Sequence, residues 1–256
     1  MNLSETLFIK VLFRPDAAFG AIAAGRTGWA GPLGLFALST GASLLLFLAL
    51  PAGFIAEAFE GLTFTPGRGF AFYFPVSLGG GLIFMAFISS AISGLARFLG
   101  VGRLSPRLMA AGLAALAFGV TAGAMHGAAG PARAFGIAAA LLAGLAAALA
   151  ARSDAGRFAA VFKSMLAVSA LSLACTLAAA PAAFAGLTKA YTGIELTFSI
   201  LSLYWLARAV TAVYGAARAR AAAAVVLGLL AGVAFLYLVF NLGLIPPEVF
   251  QALMIA

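Results

Sequence analysis

The sequence predicts an all-α fold: a polytopic transmembrane helical bundle of seven spans, with the N-terminus inside and the C-terminus outside. Three observations carry this. The composition is 64% hydrophobic and 9% charged, whereas soluble domains carry about 25% charged residues. Apolar runs of roughly 20 residues or more recur along the chain, long enough for a helix to cross about 30 Å of hydrocarbon. Finally, all of the 15 Lys and Arg residues except Arg68, Arg133 and Lys189 fall on one side of the predicted spans. That is the split the positive-inside rule demands, and it requires residues 107–151 to cross an even number of times.

Little is left over for a separate soluble core, so residues 1–256 read as one membrane domain. The net charge of +8 is accounted for by topology and gives no reason to invoke nucleic acid. Cys175 is the single cysteine; it cannot form an intrachain disulfide or a thiolate cluster and reads as a packing residue. Abundant Ala, Gly and Leu, with Arg favoured over Lys, point to GC-rich bacterial coding and hence to a cytoplasmic (inner) membrane.

Residues 1–28 read as an interfacial amphipathic segment. Leu3, Leu7, Phe8, Val11 and Leu12 share one helical face, and Pro15 stops that helix. A second turn runs from Asp16, as its N-cap, to Ala24, with Phe19 and Ile22 as apolar contacts; Arg26 and Trp29 then mark the headgroup level. The spans come next, at 31–55, 71–98, 107–125, 132–151, 158–181, 194–217 and 221–243, delimited by apolar length and turn residues. The first is too long for a signal-peptide core and reads as a retained span. The third and fourth are short and rich in Ala and Gly, so five spans plus a re-entrant hairpin is the alternative. Glu57, Glu60, Glu195 and Glu248 then fall outside, residues 57–69 form the one sizeable outer loop, and 244–256 is an outer-face tail with room for a short turn.

No acidic residue falls at the centre of a predicted span, where ion-coupled transporters usually place one. His126 sits at a helix end, and no metal-ligand spacing, phosphate loop or nucleophile with a partnering base is visible, so neither enzymatic activity nor a cofactor is expected. In the second span Pro75 precedes Gly79, Gly80 and Gly81, which predicts a kink or break that either lines a pocket or lets helices approach closely. Ser90 with Gly94, and Gly136 with Ala140 and Gly144, have small-xxx-small spacing and read as packing faces. Ser169, Ser172 and Thr176 recur at helical spacing on the fifth span, and Glu195, Ser199 and Ser202 on the sixth. Facing each other they form a polar seam, serving either as interhelical hydrogen bonds or as a hydrated or headgroup groove closed at its inner end by Arg208. Arg97, Arg103, Arg107, Arg208, Arg218 and Arg220 converge on the inner face, where topology alone explains them and an anionic lipid headgroup or a protein partner also fits.

The order of landmarks resembles the bacterial branch of the Yip domain family, named for membrane proteins that interact with Ypt/Rab GTPases. The residues carrying the resemblance are Leu95-Ala96-Arg97-Phe98-Leu99-Gly100-Val101-Gly102, Arg157-Phe158, Pro181, Tyr204-Trp205 and Ala212-Val213-Tyr214-Gly215-Ala216-Ala217-Arg218-Ala219-Arg220-Ala221. The resemblance implies a five-helix bundle with a cytoplasmic N-terminus, without enzymatic activity, acting through partners. This chain departs by an inserted hairpin over 107–151 and by lacking a long soluble N-terminal region, which speaks against a Rab-type GTPase partner. The leading expectation is a non-enzymatic scaffold that contacts membrane lipids, other membrane proteins or a second copy of itself. The alternatives are a small-solute or lipid permease, or an accessory subunit of a larger membrane complex.

Overall fold

The computed structural model describes residues 6–58 and 68–255, and the described residues are helical apart from short turns, with no strand. In order they form α1 (Leu7–Phe13), α2 (Pro15–Ala23), α3 (Ala30–Ala49), α4 (Ala52–Ala58), α5 (Phe70–Gly100), α6 (Leu104–Ala124), α7 (Gly130–Ser153), α8 (Ala155–Phe184), α9 (Thr188–Tyr214), α10 (Arg218–Asn241) and α11 (Pro247–Ile255). Seven of them, α3 and α5 to α10, are long and apolar enough to cross a membrane. Leu3, Glu60 and most of the predicted 57–69 loop lie outside the described residues.

Several predicted boundaries are corrected, each for a local reason. The span expected over 31–55 divides: Leu50 is extended, with ψ 143°, because the ring of Pro51 excludes helical geometry from the residue before it and removes an N–H donor. Beyond the proline the chain resumes as the separate helix α4. The span expected over 194–217 ends at Tyr214, because Gly215 takes a left-handed conformation (φ +64°) and returns its N–H to Thr211 O at 2.8 Å, a frequent way to terminate a helix. Asp16 is not the cap of α2; Arg14 precedes that helix and Pro15 opens it, a position that uses no N–H. The C-terminal tail forms α11, which docks against α5 and α3.

The N-terminal helices do not turn their apolar face outward as an interfacial segment would. Val11 and Phe19 are fully buried and Ile22 nearly so, packed with residues of α5, α8, α9 and α10 in the largest core cluster.

Successive long helices run in opposite directions. Trp29, just before α3, packs on Phe162 near the start of α8, and Arg97 near the end of α5 bonds Ser153 at the end of α7. At the opposite end Asn241, which closes α10, bonds Ala122 O near the end of α6. The N-terminal helices and the arginine-rich turns therefore share one end of the bundle, and α4, α11 and the α8–α9 turn share the other. Helices α3, α5, α8, α9 and α10 form the heart, with α8 touching α3, α5 and α9. Its most apolar stretch is 56% buried, against 6% for α6 and 11% for α7. Those two lean on the outside of α10 and α5, leaving an alanine-lined cleft of about 340 Å³ between them.

At the centre α5 and α10 meet almost backbone to backbone. A Cβ placed on Gly228 stands 2.5 Å from Ile92 Cγ1 and 3.1 Å from the Ile92 nitrogen, and one on Gly232 collides with Ile88. Only glycine allows this approach, and close van der Waals packing is what holds helices together where lipid removes the hydrophobic drive.

Candidate functional site

Two polar regions stand out: a groove between α8 and α9, and the arginine-rich end.

The groove assembles most of the predicted seam. Ser172 and Thr176 on α8 face Glu195, Ser199 and Ser202 on α9 across a space of about 500 Å³, with Ser43 of α3, Cys175 and Phe198 also on its walls. Stripes at helical spacing meet because α8 and α9 are antiparallel neighbours. Thr176 donates to Ser172 O at 2.9 Å, so its one hydroxyl proton is committed. It follows that Ser43 is the donor in the 3.1 Å contact with Thr176 Oγ1. The Tyr191 hydroxyl donates to Glu195 Oε1 at 2.7 Å, and Tyr191 is wedged edge-on against Phe54. Nearby, Thr188 donates to Glu57 Oε1 at 2.9 Å.

Two seam expectations are corrected. Ser169 is buried and does not line the groove. Arg208 does not close it; its guanidinium pairs with Asp16 of α2 and lies over the Tyr204 ring at 5.6 Å. Charge drew it there, since Asp16 offers the carboxylate that the groove's inner end lacks.

Pro75, Gly79, Gly80 and Gly81 do not interrupt α5, which runs unbroken through them. Pro75 lies near the start of the helix, where its missing N–H costs one bond at most. The glycines admit neighbours: a Cβ on Gly80 stands 2.6 Å from Leu253 Cδ2 of α11, and one on Gly81 2.8 Å from Phe36 Cζ of α3. Gly79 has open space around it.

The six arginines do not pool into one patch. Arg220 donates to Leu99 O at 2.9 Å, Gly100 O at 2.7 Å and Gly102 O at 3.0 Å, capping the orphan carbonyls at the end of α5 where helix polarity favours a cation. Arg97 donates to Ser153 Oγ at 2.6 Å and Ala150 O at 3.3 Å. Arg107 bonds Phe98 O and lies 5.0 Å over the Phe98 ring. Arg208 is held by Asp16. Of the six, Arg103 and Arg218 reach no partner among the described residues, and Arg218 shares a space of about 410 Å³ with Asp16, Tyr204 and Arg208. Helix ends and Asp16 claimed the other four.

Sequence reasoning missed Ser43, the Gly228/Gly232 contact and Asn241. The glycines carried a legible signal, a small-xxx-small pair on the last long helix. Asn241 was a lone amide at a helix end; its Nδ2 donates to Ala122 O at 2.8 Å while its Oδ1 accepts from His126 Nδ1 at 3.3 Å. Among the described residues no three His, Cys, Asp or Glu side chains gather.

Fold and site define an integral membrane protein built as a helical bundle. Comparison with protein-family models, with curated proteins and with solved structures finds no match to the chain.

Proposed function

We propose that the chain is a non-enzymatic, Yip-like scaffold or accessory component of a bacterial inner membrane, crossing it seven times with the arginine-rich end in the cytoplasm. The observation that carries this reading is the sealed α5–α10 contact at Gly228 and Gly232, set beside two outer helices that bury few of their residues. A bundle closed at its centre and apolar on its flanks suits holding neighbours better than passing a solute. The concentration of cations at one end supports the orientation, and the five-helix heart with α6 and α7 outside it is the arrangement expected of a five-span bundle carrying an inserted hairpin. Of the six arginines, Arg103 and Arg218, without partners among the described residues, are the two left to meet anionic headgroups. A permease role, as transporter or subunit, is the second reading, and the α8–α9 groove is what favours it.

Two experiments test the proposal. In a Cys175→Ser background, Ala24→Cys and Leu244→Cys should label from opposite sides of the membrane; same-side labelling removes the seven-span topology. In a mild detergent extract of native membranes, a second copy or another membrane chain should co-purify and be lost with Gly112→Leu and Gly119→Leu on α6. Both glycines have open space around them, so the bundle itself tolerates the change. A protein that runs alone and moves a solute in liposomes overturns the scaffold reading in favour of the permease.

A further inference from the structure

We propose that the α8–α9 groove binds a primary ammonium group carried on an apolar stem, held by the Glu195 carboxylate, the Phe198 ring and the hydroxyls of Ser172, Ser199 and Ser202. This site is independent of the scaffold reading, which rests on packing elsewhere.

The first ground is charge. The groove is lined by one carboxylate and by no Lys, Arg or His. Tyr191 occupies Oε1, and among the described residues no donor reaches Oε2. A cation with hydrogens to give satisfies that oxygen, and Phe198 places an aromatic ring on the wall, a partner ammonium groups favour. A headgroup that is anionic and carries no cation of its own meets a like charge and nothing to offset it.

The second ground is the hydroxyls. Three other hydroxyls on these helices turn back on their own backbone, Ser164 to Ala160 O at 2.9 Å, Thr192 to Thr188 O at 3.0 Å and Thr197 to Gly193 O at 2.8 Å, while the buried Thr211 hydroxyl finds no partner among the described residues. The hydroxyls of Ser172, Ser199 and Ser202 make no hydrogen bond among the described residues. Hydroxyls left unmet in hydrocarbon are costly, so a polar occupant is favoured where three of them converge.

Size and position supply the third. About 500 Å³ is far more than a bare ion needs, one water taking roughly 30 Å³, and toward the arginine end the walls become Leu203, Leu206 and Leu229. A polar mouth above an apolar slot suits an ammonium on a hydrocarbon stem. Ser172 and Ser199 are exposed, so the groove opens sideways to the bilayer. Glu195 lies beyond Thr188, the first residue of the 27-residue α9, by about 10 Å along the axis. With the helix centred across about 30 Å of hydrocarbon, the carboxylate lies about 5 Å below the headgroups, not outside the membrane as the sequence predicts, because α9 begins at Thr188; that depth is within reach of an aminophospholipid that stays in its leaflet. A free long-chain amine offers the same ammonium group directly on a hydrocarbon stem, without the phosphate that an aminophospholipid places between them.

The full chain is purified in detergent, mixed with equimolar phosphatidylethanolamine and phosphatidylglycerol, and probed by native mass spectrometry, with thermal midpoints recorded with and without octylamine. Phosphatidylethanolamine should be retained over phosphatidylglycerol by roughly tenfold, and octylamine should displace it. Glu195→Gln, which keeps the shape and the bond from Tyr191, should bring the two lipids to parity without lowering the lipid-free midpoint. If only octylamine binds, raising the midpoint of wild type and not of Glu195→Gln, the free amine is the source. Ser202→Leu, which fills the groove without touching the carboxylate, should abolish retention in either case and serves if Glu195→Gln fails to fold. Equal retention of both lipids by wild type with no octylamine effect, or a preference untouched by both variants, overturns the proposal.

Discussion

The α5–α10 contact and the α8–α9 contact join helices in the same bundle by opposite means. Gly228 and Gly232 bring backbones together with no polar side chain between them, and the result is closed. Along the α8–α9 contact, Ser172, Thr176, Ser199 and Ser202 line a groove of about 500 Å³ that Ser43 of α3 and Leu229 of α10 help to wall, while the two helices pack closely elsewhere along their length. Inside a membrane, helices associate through van der Waals packing and interhelical hydrogen bonds. The first route excludes everything, whereas the second leaves room and unsatisfied groups. The comparison teaches where to look for a ligand in a chain this apolar: at the helix pair whose contact leaves a groove and unmet polar groups beside it.

The sharpest way to break this contrast is to overfill the closed contact. Gly228→Leu or Gly232→Leu drives a side chain into Ile92 or Ile88 and should destabilise the bundle by about 1–3 kcal/mol or more, read as a lowered midpoint in denaturant titration of the detergent-solubilised protein. Gly144→Leu, at a site with no atom within 4 Å of its Cβ, should cost less than about 0.5 kcal/mol. Equal losses at the two sites would mean that the glycines of α10 are incidental.

Next in size is the cap at the end of α5. Arg220→Ala strips three carbonyls of a charged donor and should cost about 1–2 kcal/mol, while Arg218→Ala, with no partner among the described residues, should change stability by less than about 0.5 kcal/mol. The same denaturant titration compares them. This pair separates arginines that hold the bundle from arginines free for headgroups, which charge counting alone cannot do.

The reach of the sequence divides along the same line. Apolar length marks all seven long helices, because burying backbone hydrogen bonds in hydrocarbon needs a span of set length. The recurrence of Ser172 and Thr176, and of Ser199 and Ser202, marks faces that the antiparallel packing then joins. The features that stay hidden depend on which helix lies beside which. Pro75 and Gly79 to Gly81 read as a break because their propensities are poor, yet docking against Leu253 and Phe36 keeps α5 continuous, tertiary contact overriding local preference. Val11, Phe19 and Ile22 read as the apolar contacts of an interfacial segment because amphipathicity reports that a face is apolar and not what covers it. Arg208 reads as a plug for the groove because nothing in the sequence marks the distant Asp16 as its partner.

The smallest expected effect probes the open contact itself. Ser43 donates to Thr176, which donates to Ser172 O, so the pair forms a short relay tying α3 to α8 at the wall of the groove. Removing either hydroxyl alone changes both the bond and the polarity of the wall, and neither single value isolates the interaction. A double-mutant cycle does. Ser43→Ala, Thr176→Val and the double variant, compared by denaturant titration in detergent, should give a coupling of about 0.6 kcal/mol, the average for such bonds between membrane helices. That is well below the cost of overfilling Gly228 or Gly232, so the groove's hydroxyls contribute little to stability. If the coupling instead approached the glycine losses, the seam would be structural glue, and the hydroxyls of Ser172, Ser199 and Ser202 would lose their standing as groups waiting for a ligand.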